Sequence, residues 1–142
     1  EHSSDVVYGN VEFVNNLGDV KPVRKWRGGF FSHRKLRYGW MPPHTSTFIK
    51  AHIFQKVGEY CTSYKVAGDY DFLIRIMKYQ GADLWYLDRT ICQMKLGGLS
   101  TKKSVIQIIC ILLEDYRVVS ANQIGGIGTV FCKRLRKLHQ LI

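Results

Sequence analysis

The residues best suited to chemistry lie together in the string Ala67-Gly68-Asp69-Tyr70-Asp71-Phe72, where a carboxylate opens an apolar-periodic segment. A helix is expected to start there, so Asp69 stands where the helix dipole and the free amides of the first turn converge. Two readings follow from that position. Asp is among the best N-capping residues and can be consumed by its own backbone; it can equally act as a general base toward an incoming hydroxyl. Capping lowers a carboxylate's pKa, so as a base Asp69 must rely on position and on a desolvated acceptor. Asp69-Tyr70-Asp71 also has the form of a D-x-D metal motif, but residues two apart on a helix point to nearly opposite sides and cannot share one cation. No metal ligand is therefore expected in this chain.

Three further features could contact a substrate. His44 follows Pro42 and Pro43, whose rings fix its approach, and it could hydrogen-bond a sugar or phosphate or equally be a satisfied, partly buried histidine. Trp40 offers a stacking face, or simply core. Gly97, Gly98 and Ser100 could approach a phosphate with free backbone amides, or form a plain turn before a capped helix.

The elements that must position these residues are legible from pattern. Val6 to Val14 and Val20 to Trp26, separated by Asn15, Asn16 and Gly18, read as a β-hairpin with Pro22 confining the second strand to an edge. A short polar helix from about Ser32 to Tyr38 follows, with Ser32 as its cap. Thr45 to Ile49 reads as a strand with His44 at its entrance, and Ala51 to Val57 as a helix stopped by Gly58. Phe72, Ile76 and Tyr79, with Leu73 and Met77, form the apolar face of the helix that opens at Gly68 or Asp69. Leu84 to Leu87 and Thr90 to Met94 read as two strands around Asp88 and Arg89. Val105, Ile108, Ile109, Leu112, Tyr116 and Val119 then recur at the spacing of a long helix. After Gly125, Gly126 and Gly128, a last basic helix, Thr129 to Ile142, carries Phe131, Leu135, Leu138 and Leu141.

At 142 residues, 46% hydrophobic and 23% charged, the chain is apolar enough to fold around one modest core. No apolar run reaches the roughly 18 residues of a membrane span, and Glu1 to Asp5 show neither region of a signal peptide. Cys61, Cys92, Cys110 and Cys132 form no CxxC pair, which suits reduced thiols in a cytoplasmic protein. The formal charge is +10, with Lys21, Arg24, Lys25, Arg27, Arg34, Lys35 and Arg37 in one stretch free of acidic residues and Lys133, Arg134, Arg136 and Lys137 near the end. Such asymmetry implies an anionic partner.

Trp40 to Thr45, Phe54 to Gly58, Tyr64 to Arg75 and the Leu96 to Ser100 break, together with the opening Asp5-Val6-Val7-Tyr8-Gly9-Asn10, resemble the second half of the family 2 glycosyltransferases of cell-surface polysaccharide synthesis. The resemblance covers nearly the whole chain. It implies an α/β, partial GT-A fold: a small mixed β-sheet with flanking helices over residues 1–100, and a C-terminal helical extension over 101–142. It also implies an inverting transfer from a nucleoside-diphosphate sugar to a glycan or lipid-linked acceptor, with a divalent metal, Mg or Mn, in the full enzyme. In that family an acidic pair opening the helix supplies the base; the second member falls on Asp69, while the first falls on Gly68, a departure that removes one carboxylate. Asp71 matches the Asp that usually follows and joins the substrate-side set as a helix-start or structural residue rather than a second base.

The family's D-x-D lies upstream of the matched region. The chain is accordingly expected to be a fragment, with no metal bound, no tight hold on a donor and no turnover by itself. The final helix has the pattern of an interfacial helix on anionic lipid, which would place the protein peripherally at the inner face of the cell membrane, or of a helix packed on the core with a solvated basic face. A sheet edge left open by truncation would favour a homo-dimer. The rival from another class is a non-catalytic basic module on acidic membrane or nucleic acid. Against nucleic acid, Trp26, Phe30 and Phe31 form no repeating stacking pattern and no recognition motif is present.

Overall fold

The computed structural model describes residues 3–96 and 104–139. It is a mixed α/β structure built on one central strand, β1 (Val6–Val14). One edge of β1 pairs in parallel with β4 (Leu84–Lys95). The other edge is shared by two short antiparallel strands, β3 (Thr47–Ile49) against Val6 to Tyr8 and β2 (Arg24–Trp26) against Val11 to Phe13. Helices α1 (His33–Leu36), α2 (Ala51–Val57), α3 (Gly68–Lys78), α4 (Val105–Ala121) and α5 (Ile127–His139) complete the described chain.

The hairpin forms as expected, though its second strand is shorter than Val20 to Trp26 and Pro22 lies before it. Two readings change. His44–Ser46 forms a single 3-10 turn, and the strand after it is only Thr47–Ile49. Leu84 to Met94 is one continuous strand, not two, because the register against β1 slips between Tyr8 and Asn10 and again between Asn10 and Val11. The extra β4 residues around Asp88 and Arg89 are accommodated as an irregularity rather than a turn. The same slip explains why β1 alternates poorly in sequence. Gly9 is needed at it, since a Cβ there would lie 2.8 Å from the Ile91 side chain and 2.9 Å from the Arg89 carbonyl.

Buried Asn10 fixes this irregularity. Its Nδ2 donates to Asp88 Oδ1 at 2.9 Å, and its Oδ1 accepts from the Gly28 amide at 3.0 Å and lies 2.7 Å from the Tyr86 hydroxyl. One amide side chain thus ties β1, β4 and the turn after β2 together.

α3 is the core helix. Tyr70, Phe72, Leu73, Ile74, Ile76 and Met77 are all buried, and a helix buried on nearly every side needs partners on several faces. Phe72 and Ile76 pack with Val6 and with Ile53 of α2. Tyr70, Ile74 and Met77 pack with Tyr8, with Val118 and Val119 of α4 and with Val130 of α5. The two C-terminal helices therefore share the main core.

They are also locked to each other by Asp115, which is 1% exposed. Lys133 donates to its Oδ1 at 2.6 Å and Arg134 to its Oδ2. Among the described residues, no helix is long and apolar enough to cross a membrane.

Replacing Asp115 by Ala takes the shared carboxylate from two cations, one of them buried, and is expected to cost about 3–5 kcal/mol, read as a lowered urea midpoint. Adding Lys133→Met to that variant is expected to recover part of the loss; strictly additive effects would show that the pair does not hold α5 in place.

Candidate functional site

Asp69 lies in the first turn of α3, and the helix is capped in a way its own sequence does not announce. The N-cap position is Ala67, which has no capping side chain. Instead Glu114, from α4, accepts hydrogen bonds from three successive amides, Lys65 at 3.0 Å, Val66 at 2.8 Å and Ala67 at 2.9 Å. These amides precede the helix, so Glu114 holds the approach to α3 and lies near the positive end of its dipole. Burial alone would raise the Glu114 carboxyl; the amides of Val66, Ala67 and Lys65, with Arg117 nearby, outweigh it and hold its pKa below the ordinary range.

Asp69 has one carboxylate oxygen on its own first turn. Its Oδ1 accepts from the Tyr70 amide at 2.7 Å. Its Oδ2 lies 3.7 Å from Nδ1 of His44, with the two side chains 37% and 47% exposed respectively. That separation is beyond direct hydrogen-bond length but keeps imidazole and carboxylate side by side at the surface. Sequence reasoning named both residues, and the fold brings them together.

Tyr60, which it did not name, belongs beside them. The ring is 48% exposed and stacks at 4.2 Å between centroids on Phe72. Burial and then the Asp69 charge raise its hydroxyl pKa, the second cause marking how near the carboxylate is. Tyr60 had no signal in the sequence beyond being an aromatic in the loop after Gly58.

Trp40 is placed elsewhere. It is 7% exposed, its indole N–H donates to the Gly28 carbonyl at 3.0 Å, and its ring packs on Tyr8 and Phe31. Tyr60, not Trp40, is the exposed aromatic whose hydroxyl feels the Asp69 charge.

Asp71, grouped with the substrate-side residues, faces inward. Its Oδ2 accepts from Arg75 Nε at 2.9 Å and its Oδ1 from Asn122 Nδ2 at 2.8 Å. Arg75 in turn donates to the carbonyls of Val57 and Glu59. Asp71 thus orients the guanidinium that holds the loop presenting Tyr60, and it ties α3 to the end of α4. The opposed directions of Asp69 and Asp71 follow from helical geometry.

Gly97, Gly98 and Ser100 lie outside the described residues. Among the described residues no grouping of His, Cys, Asp and Glu fits a metal ion. The divalent cation that the resemblance implies finds no ligand set among them.

No protein-family model, curated protein or solved structure matches the chain. An exposed carboxylate with one uncommitted oxygen, an adjacent imidazole and an open phenol ring can together take a proton from a polyol hydroxyl, hydrogen-bond its neighbours and stack on its apolar face.

The depressed pKa of Glu114 stabilises the fold above the ordinary carboxyl pKa, and that contribution is lost as pH falls through the lowered value. Glu114→Gln is therefore expected to lose about 1–2 kcal/mol at neutral pH. Its stability gap to the unsubstituted chain should close as pH falls below the 4.5 of an ordinary Glu. Urea melts at a series of pH values test this, and a gap independent of pH would remove Glu114 from the capping role.

Proposed function

We propose that this chain is the acceptor-side, base-bearing part of an inverting glycosyltransferase of the family 2 type, with a partial GT-A fold. The enzyme would move a sugar from a nucleoside-diphosphate donor to a glycan or lipid-linked acceptor. The observation that supports this most is that Asp69, whose Oδ1 accepts from the Tyr70 amide, keeps Oδ2 free of its own backbone and beside His44. In the proposed step the acceptor hydroxyl gives its proton to Asp69 Oδ2 as its oxygen attacks the anomeric carbon. The nucleoside diphosphate departs from the opposite face, and the configuration inverts. His44 hydrogen-bonds the acceptor, and Tyr60 supplies the ring on which its apolar face rests. Donor binding belongs to the segment that carries the D-x-D in this family.

In a polypeptide that includes a nucleotide-sugar-binding half, Asp69→Asn is expected to lower kcat about 10²- to 10⁴-fold while nucleotide affinity changes by less than about twofold. A transfer assay with parallel nucleotide titration reads both. An Asn variant with near-normal turnover would sink the assignment.

The same proposal sets the C-terminal helices against an anionic membrane surface. Of the four apolar residues that the sequence singled out in the last helix, Phe131 and Leu135 point outward and the side chains of Leu138 and Leu141 lie outside the described set, while Thr129, Val130 and Lys133 face the core. With Ile109, Leu112, Leu113 and Tyr116 of α4, Phe131 lines an apolar groove of about 670 Å³, and Val105, Ile106 and Ile108 extend the exposed face. The acidic side chains of α4, Glu114 and Asp115, are both committed within the fold, and α5 has none. Arg134 borders the groove as well, and with no uncommitted carboxylate among the described residues of either helix the apolar area suits an anionic lipid surface.

Vesicles containing phosphatidylglycerol are expected to sediment the protein where phosphatidylcholine vesicles do not, and Ile106→Ser with Phe131→Ser should abolish this. Sedimentation equilibrium showing a dimer lost in the same variant, without vesicle binding, would assign the face to a second copy instead.

A further inference from the structure

A pocket lined by none of Asp69, His44 and Tyr60 gathers positive charge that the transfer reading does not use. It is a cavity of about 240 Å³ between the turn after β2, α1 and α5. Arg27, Lys35, Lys133 and Arg136 line it with the rings of Trp26 and Trp40, and no carboxylate does. Four cations converging on one small cavity repel one another unless something negative sits among them.

The fold neutralises little of this charge. Lys133 is paired with Asp115, but Arg134 shares that carboxylate, so one negative charge faces two positive ones. Lys35 donates to the Phe30 carbonyl and Arg136 Nε to the Tyr38 carbonyl at 3.1 Å. These contacts aim the side chains without cancelling their charge, and the Nη edge of Arg136 is left as a flat pair of donors. Arg27 is exposed, and the carboxylate that feels its charge, Asp88, is outside the pocket and already bonded by Asn10 and Tyr86.

The walls are rigid for a reason that concerns the cavity itself. The Gly28 amide donates to Asn10, and the Gly28 carbonyl accepts from Trp40. Gly39, at φ +66°, lets α5 approach so closely that a Cβ would lie 2.5 Å from Cβ of Lys133. Preformed placement of cations is what anion recognition requires, because little ordering entropy remains to be lost on binding.

We propose that this pocket binds a phosphate group, held by Arg27, Lys35 and Arg136, with the remainder of the ligand lying over Trp26. Arg provides bidentate recognition of phosphate oxygens and Lys a point charge beside them. The volume is below the roughly 300–1,000 Å³ of pockets for drug-sized ligands, so it takes a phosphate or diphosphate end rather than a whole nucleotide. That end can belong to a free phosphate ester or to a lipid headgroup; the chemistry of the pocket is the same for both. The inference goes beyond the transfer reading and stands without it.

Intrinsic tryptophan fluorescence at fixed ionic strength tests it, with pyrophosphate as one probe and monomeric dihexanoyl phosphatidic acid as the other. Saturable change with a Kd of about 1 mM or tighter is expected. Arg27→Gln and Arg136→Gln, whose folding is checked by far-UV circular dichroism, should each weaken binding about tenfold. Pyrophosphate binding lost in these variants supports the pocket with a free phosphate ester as ligand. Binding confined to the phosphatidic acid and lost in the same variants supports it with a lipid headgroup. No saturable change with either probe overturns the proposal, as does equal affinity in well-folded variants and the unsubstituted chain.

Discussion

The structure depends on two consecutive carboxylates of α4 that point in different directions and are both consumed by distant chain. Successive residues on a helix diverge by about 100°, so Glu114 reaches the amides of Lys65 to Ala67 while Asp115 reaches Lys133 and Arg134. The first contact anchors the entry to α3, and the second anchors α5. Neither is a surface ion pair of the kind that contributes little. Glu114 answers three backbone donors at once, and Asp115 is buried with a lysine that is itself buried.

The consequence for chemistry is indirect. A helix that must open on Ala67 and Gly68 has no capping side chain of its own, and the obvious local substitute is Asp69. Glu114 holds the amides just before the helix, Asp69 Oδ1 takes the Tyr70 amide, and the other oxygen stays beside His44. Asp71 plays the complementary part. Held by Asn122, it orients Arg75, and Arg75 holds the carbonyls beside Tyr60. One carboxylate of the Asp69-Tyr70-Asp71 string is thus exposed and the other is structural, a division of labour set by helical geometry alone.

α5 has a similar two-sided character. Its Lys133 and Arg136 line the basic pocket beneath Trp40, while Ile127 and Phe131 line the apolar groove shared with α4. A helix rich in bases can cover a core because its inward positions are small or paired: Thr129 donates to the Arg37 carbonyl and Lys133 to Asp115. The large apolar side chains are thereby left outside, an arrangement that is unfavourable in water unless another surface covers them.

The sequence by itself determined the elements whose signals are local. Gly58 stops α2 because the chain needs a positive φ there, at +78°. The apolar period from Tyr70 to Met77 makes α3, and the turn residues after Val14 make the first hairpin. The neighbourhood of Asp69 and His44 was legible too, since a proline pair and a helix start restrict where each can point. What the tertiary structure alone decided rests on long-range partners. The continuity of β4 depends on a register slip against β1 that only Asn10 and Gly9 reveal. The burial of Trp40 depends on Gly28, the exposure of Tyr60 on Arg75, and the outward turn of Phe131 on the pairing of Lys133 with Asp115. A sequence pattern records which side chains prefer to be buried, but which face of a helix wins is settled by the carboxylate, amide or ring that arrives from elsewhere in the chain.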